Sequence, residues 1–393
     1  MPGTDAHVDV TRDPREVGID PGALAELIAR CRREVDDGLL PSSQMAVACG
    51  DRIVAFETFG AAAPDSRYVI FSCTKAVVAG AFFMILGDGS VSLDQRVAEL
   101  VPEFGRNGKD VVTIRQLLLH EGGFPHAPLN LETDRTREQR LARFSSWRLN
   151  WEPGTRFEYH ATSAHWVLAE LIERLSGVEY RRFVHERVLD PLGLTRLRLG
   201  VPAADQHDII DLVVRGEPPT NEELEAVLGI PGVTLSEMQG EVTEGALLFF
   251  NRPDVRELGV PGGGGISNAA DLALYYQALL HNPDGMWDPT VLAAGTREVH
   301  GTLPDPWYRV SSHRALGTVI AGEGRDAAMR GFGRTVSQRA FGHGGAGGQI
   351  AFADPDSDVS FCYLTNGLDR DVLRQGRRTA SIADCVGRLT AGS

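Results

Sequence analysis

Lysine is almost missing from this chain. Of its 39 basic residues only Lys75 and Lys109 are lysine; all the rest are arginine. Cysteine is also sparse: Cys31, Cys49, Cys73, Cys362 and Cys385 stand apart, with no Cys-x-x-Cys pair. That argues against a cysteine-based metal site and for small buried thiols in a reducing compartment. No apolar run approaches the ~20 residues a membrane span needs. No basic cluster interrupts the excess of 53 acidic over 39 basic residues, net −14, so neither nucleic acid nor a membrane surface is an expected partner. The stretch Met1 to Val10 has neither the basic start nor the apolar core of a secretory leader, and a cytoplasmic location is expected. His120, His160 and His165 do not have the spacing of a His-Glu-x-x-His metal helix, so no metal is expected. The run Gly262–Gly265 lacks the Gly-Lys-Ser/Thr ending and the Gly-x-Gly-x-x-Gly spacing of phosphate loops. It reads as a tight turn that brings backbone close to the core, and no cofactor is expected.

What is present is ordinary for a globular protein: 393 residues, 42% hydrophobic and 23% charged, enough for two domains or one with a large insertion. Asp20 caps a helical pattern carrying Leu24, Leu27, Ile28 and Cys31. Gln44–Cys49 and Ile53–Thr58 flank Gly50-Asp51 as a hairpin. Thr113–His120 reads as a short capped helix, Leu131–Arg148 as a charged helical cover over the site, and Ser163–Leu175 as an amphipathic helix stopped by Gly177. Val201–Leu258 is acidic and helical in pattern, without a motif. Ala270–Leu280 is a further helix. Ala315–Ile320, Gly348–Ala353 and Val359–Leu364 are strand candidates before a last helix from about Asp371 to Leu389. Strands at both ends and helices between predict an α+β fold. Its antiparallel sheet is assembled from residues 1–75 and 260–393, with 76–259 as a mostly helical domain and a site in the cleft between them.

The stretch with chemical content is Tyr68-Val69-Ile70-Phe71-Ser72-Cys73-Thr74-Lys75. Ser72 and Lys75 stand three apart at a helix start and share a face. Arginine stays protonated, whereas a desolvated lysine can give up its proton. A chain that hardly uses lysine thus puts one a single turn after a serine, a pairing suited to nucleophilic catalysis. Cys73 points about 100° away on a helix and reads as packing. The Gly-x-Ser-x-Gly elbow of other serine hydrolases does not occur.

Ser72-x-x-Lys75, Tyr159 on a loop before a helix, and Gly342-His343-Gly344-Gly345 follow one another in chain order. This order resembles the serine β-lactamase and penicillin-binding-protein superfamily, and within it the class C β-lactamase-like branch. That branch includes family VIII esterases, D-alanyl-D-alanine peptidases and acyltransferases; its motifs are S-x-x-K, Y-x-N and K/H-x-G. Thr113–Gly123, Trp151–Tyr159, Leu171–Gly177, Gly262–Leu274 and Gly342–Gly348 extend the similarity over most of residues 40–370. The resemblance implies Ser72 as nucleophile and Lys75 holding a proton beside it. Tyr159 would share the base role, its phenol pKa lowered by Lys75, and then protonate the leaving group. His343 would support that network. The oxyanion hole would consist of the backbone N–H groups of Ser72 and of Ala346 on the strand, with Ala161, Gly344 and Gly345 as substrate-binding positions.

Three departures shape the functional expectation. Ala161 stands where Y-x-N has asparagine, with Ser163 as a partial substitute; His343 replaces lysine; and no secretory leader is recognisable. They favour a carboxylesterase acting on small-molecule esters or amides through an acyl-enzyme on Ser72. An acyltransferase to an alcohol or amine is the alternative, followed by a β-lactamase or D-alanyl-D-alanine peptidase. A non-catalytic binding module is the reading from a different class. Oligomeric state is not legible.

Overall fold

The computed structural model describes residues 8–10, 13–127 and 129–390; Met1 to His7, most of the stretch read as lacking a leader, lie outside the described residues. Helix α1 (Pro21–Asp36) starts where Asp20 accepts from the Ala23 N–H at 2.7 Å and turns Leu24, Leu27 and Cys31 inward. The hairpin of β1 (Ser42–Cys49) and β2 (Arg52–Gly60) turns on Gly50 and Asp51, both at positive φ, as a two-residue turn matching strand twist requires. Helix α2 (Thr74–Gly87) is buried almost all round, consistent with its lack of polar residues beyond the first turn. Thr113 and Gln116 form a capping box on α3 (Ile114–Leu118). Helix α4 (Arg137–Ser146) is shorter than Leu131–Arg148. Before it, Asp134 accepts from the Asn130 N–H at 2.8 Å and closes a turn that ends the helical pattern. Arg137 pairs with Glu170 and Glu173 of α5 (Ser163–Ser176), so α4 is braced on that helix. Helix α6 (Ala269–His281) follows the glycine run. Then come β3 (Val319–Ile320), β4 (Phe341–Gly345), β5 (Gln349–Asp354), β6 (Val359–Thr365) and α7 (Val372–Val386). Strand β3 retains only the last two residues of the expected Ala315–Ile320, because Gly317 at positive φ breaks the extended backbone.

The main sheet has the order β2-β1-β6-β5-β4-β3 and is antiparallel throughout. Strand β1 pairs with β6, Val47 opposite Phe361, so the two ends of the chain are joined at the centre of the sheet. On one face α1 and α7 cover Met45, Phe361 and Tyr363. On the other a continuous apolar core runs from Ala46 and Phe341 of the sheet through Val78 and Phe82 of α2 to Trp166 and Leu171 of α5. The division expected between residues 75 and 76 falls inside α2; that helix is enclosed by both halves, each large side chain gaining about 1.5–3 kcal/mol from burial. Val201–Leu258 contains the short helices Asn221–Leu228, Leu235–Gln239, Glu244–Leu248 and Pro253–Leu258, the first three each capped by a threonine. Its end approaches the nucleophile: the Phe250 ring meets Phe71 edge-on at 5.5 Å.

Candidate active site

Ser72 sits in a 3-10 turn, Phe71–Cys73, that runs directly into α2. Phe71 takes φ of 44°, a left-handed conformation that a bulky residue adopts only when its surroundings impose it. Those surroundings are identifiable. The Ile70 N–H donates to Gly265 O at 2.9 Å, and the Gly265 N–H donates to Thr74 Oγ1 at 2.9 Å, so the glycine turn clasps both sides of Ser72. From the other direction β4 presses in so closely that a Cβ on Gly345 would lie 2.6 Å from Ile70 O. Gln349 adds a buried tie, its amide donating to Val69 O and Thr365 O at 3.2 and 2.8 Å. The turn leaves Ser72 partly accessible and Lys75 fully buried.

Lys75 Nζ lies 3.2 Å from Ser72 Oγ and donates to the carbonyls of Ala161 and Gly262 at 2.7 and 2.6 Å. Two carbonyls engage two N–H bonds. The remaining position, facing Ser72, is a lone pair once the amine is neutral. Burial, with the Arg314 charge adding to it, pulls the Lys75 pKa well below its ordinary value. The glycine run therefore does more than turn: Gly262 hands its carbonyl to the lysine, and a Cβ there would lie 2.9 Å from Ala161 O. Ala161, expected at a substrate-binding position, uses its carbonyl to hold Lys75. Ser163 does not stand in for the missing asparagine, because its hydroxyl is buried and donates to Phe124 O at 3.1 Å.

Tyr159 places its ring under Lys75, with Nζ 4.8 Å from the centroid. The loop that carries it is pinned by two neutral histidines. The His160 N–H donates to His120 Nδ1 at 3.1 Å, His160 Nδ1 donates to Glu158 O at 2.7 Å, and His160 Nε2 accepts from the Phe124 N–H at 3.1 Å. Burial holds both imidazoles below their ordinary pKa, His160 at about 3. The Tyr159 hydroxyl is buried and, among the described residues, makes no hydrogen bond of good geometry, although the Ser72 hydroxyl is close enough to act on it. Its pKa is pushed up to about 12 by burial, against which the Arg314 charge and the Ser72 hydroxyl act only in part. This corrects the expectation that Lys75 lowers the phenol: desolvation wins, and the counteracting cation is Arg314.

The His343 ring lies 6.0 Å from that of Tyr159, donates from Nδ1 to Gly344 O at 2.6 Å and leaves Nε2 buried without a partner. Burial, then Arg314 and Lys75, keep it neutral. Cys73, its thiol pushed up to about 12 by burial, donates to His343 O at 3.1 Å and ties the nucleophile's turn to β4. Gly344 is exposed and Gly345 half-buried along the accessible end of that strand. Ala346 is not on the strand as expected; it begins the turn Ala346–Gly348 between β4 and β5. That turn is braced from α7, where buried Arg378 donates to Gly347 O and pairs with Asp369, both at 3.2 Å.

Arg314 was not legible as a site residue. It lies in a loop far from every motif, one arginine among many, yet its guanidinium stacks over Phe157 and Tyr159 at 5.3 and 5.4 Å from the ring centroids. His120 and His160 gave a weak signal, being histidines within or beside stretches that resemble the family framework.

The sequence profile described as Beta-lactamase matches residues 27–384. The chain belongs to the beta-lactamase family. It is thereby a member of the serine β-lactamase and penicillin-binding-protein superfamily, with the α+β fold expected from its element order. Among curated relatives it is 26% identical over 327 residues to the esterase/beta-lactamase LipL of Mycobacterium tuberculosis, covering 77% of this chain and 70% of that protein. A penicillin-binding-protein homologue from Caulobacter crescentus superposes with a TM-score of 0.75 at 25% identity, covering 94% of this chain and 98% of the other. A family VIII carboxylesterase superposes with a TM-score of 0.73 at 23% identity, covering 94% and 99%. Among the described residues no helix is long and apolar enough to cross a membrane.

Proposed function

We propose that this member of the beta-lactamase family is a carboxylesterase that forms an acyl-enzyme on Ser72. One observation carries the reading: Lys75 Nζ stands 3.2 Å from Ser72 Oγ while its other hydrogen bonds are committed to Ala161 O and Gly262 O. Oγ attacks the ester carbonyl carbon as its proton passes to Nζ, and the new Oγ–C bond puts the negative charge on the carbonyl oxygen. The N–H groups of Ser72 and Ala346 receive that charge, aided by the helix dipole at the start of α2. Collapse breaks the ester C–O bond; the leaving alkoxide takes the Tyr159 proton, and the proton held by Lys75 restores the phenol. Water then releases the acid through the same groups.

Esters are favoured over β-lactams because the two side chains that could greet an amide are unavailable: position 161 is alanine, and the Ser163 hydroxyl is bonded to Phe124 O. The name of the LipL relative includes both activities. Turnover of p-nitrophenyl butyrate that disappears in Ser72→Ala, with an acyl adduct on Ser72 by intact mass, is the expected result. Retained turnover in that variant would remove the proposal. Transfer to an alcohol in place of water is a second reading, favoured by the apolar Phe71–Phe250 pair that adjoins the nucleophile's turn and would suit an organic acceptor over water. It expects an added alcohol to compete with hydrolysis and form the new ester.

A further inference from the structure

Among the described residues, Arg314 is a charge without an ion-pair partner. Its backbone is fixed by the Gly301 crossing, where its N–H donates to Gly301 O and its carbonyl accepts from the His300 and Gly301 N–H groups at 2.8–2.9 Å. Its side chain is buried, and neither Nε nor Nη1 has a hydrogen-bond partner. Buried guanidinium groups are ordinarily paired, because an uncompensated charge in a low-dielectric interior is costly. Elsewhere in this chain they are: Arg30 pairs with Glu34, Arg67 with Asp208 and Arg378 with Asp369. Glu121, which approaches Gly301 beside Arg314, makes no ion pair with it and is itself pushed up to about 7 by burial. Asp305 acts on the guanidinium only through space.

We infer that Arg314 is the positioning charge of this site: held without a counter-ion beside Tyr159, it adds to burial in keeping the proton off Lys75 and so helps to leave that amine free to accept the Ser72 proton. The inference rests on the esterase reading for its consequence, but not for its physics. Lys75 Nζ and Arg314 Cζ lie 4.8 and 5.4 Å from the same Tyr159 ring centroid, hence within about 10 Å of each other. The other ionisable groups facing Lys75 are Cys73 on its own helix, Tyr159 and His160 on the loop, His165 on α5, His120 after α3, and His343 on β4. None is a carboxylate, and burial keeps the four imidazoles and the phenol uncharged. Arginine fits the task because it does not surrender its proton when buried, as a lysine at this place would. At an effective dielectric constant of about 20, a unit charge about 10 Å away moves a pKa by about 1.2 units. A carboxylate paired with Arg314 would cancel that effect.

The chain's two lysines make the test direct. Lysine labelled with 13C at Cε yields two resonances, assigned with Lys109→Arg, and each titrates separately. In the wild type the Lys75 midpoint is expected well below that of an ordinary lysine. R314Q and R314A, either of which suffices, should raise its midpoint by about one pH unit, and the acid limb of kcat/KM for a p-nitrophenyl ester should move with it. R314K, whose buried amine would surrender its proton, should raise it about as far. An ammonium form of Lys75 persisting above pH 9 in the wild type, or an unchanged midpoint in the variants, would overturn the inference. Should the midpoint move while the wild type turns over no ester, the esterase reading fails and the role of Arg314 stands.

Discussion

Replacing Tyr159 with phenylalanine separates function from stability in one atom. The hydroxyl is buried and makes no hydrogen bond of good geometry, while the ring makes the contacts with Lys75, Arg314, His120 and His343. Phenylalanine keeps the ring and removes only the polar atom. An unsatisfied buried hydroxyl costs about 1–3 kcal/mol, so its removal should be neutral to stabilising, by about 1 kcal/mol. In a chain of this size that is a rise in Tm of about 1–3 °C. Catalysis should move the other way: loss of the acid that protonates the leaving group lowers kcat by about 10²–10⁴-fold. Thermal scans at one fixed rate and initial rates on p-nitrophenyl butyrate measure both. The losses should be smallest for p-nitrophenolate, a good leaving group, and largest for an alkyl ester, which needs the proton. A variant that melts several degrees lower yet keeps its rate on alkyl esters would refute the reasoning, making Tyr159 a packing residue.

The rate should rise with pH as Lys75 loses its proton. It should stay level through the alkaline range, since Tyr159 holds its proton until about 12; a fall beginning near pH 9 in kcat/KM would contradict this. Gly345→Val should sharply reduce folded yield and cost about 1–3 kcal/mol or more, because its side chain would collide with the Ile70 carbonyl; Gly344→Val, at an exposed position with its nearest neighbour at 3.7 Å, should fold. His281 bridges Asp51 and Asp358 at 2.7 and 2.5 Å, and although partial burial opposes its charge, the two carboxylates hold its pKa above the ordinary value. Its contribution is complete below the unfolded pKa near 6.5 and disappears as pH rises through the higher folded value. His281→Gln should therefore lower Tm at pH 6, by an amount equivalent to about 0.5–1 kcal/mol, and leave it unchanged at pH 9.

The readable part of this protein was the part written in short range. Asp20, Thr113 and Gly50-Asp51 mark their elements because caps and tight turns are settled by neighbouring residues. Ser72 and Lys75 share a face because three residues make most of a helical turn, and lysine scarcity singled that pair out. The α+β class followed from strand patterns at both ends. Ala346 was misplaced because a strand end and the turn after it look alike in a glycine-rich run. The helical pattern over Leu131–Arg148 overruns the helix at both ends, and at its start the Asn130–Asp134 turn exists only once the chain has folded back. The proton arrangement was decided by the tertiary structure alone. Whether Lys75 is neutral, whether Tyr159 holds its proton, and which carbonyls receive the amine depend on burial and on Ala161, Gly262 and Arg314, segments far apart in the chain. Desolvation and Coulomb fields act through space, and no local pattern records which distant arginine will be left unpaired over a tyrosine.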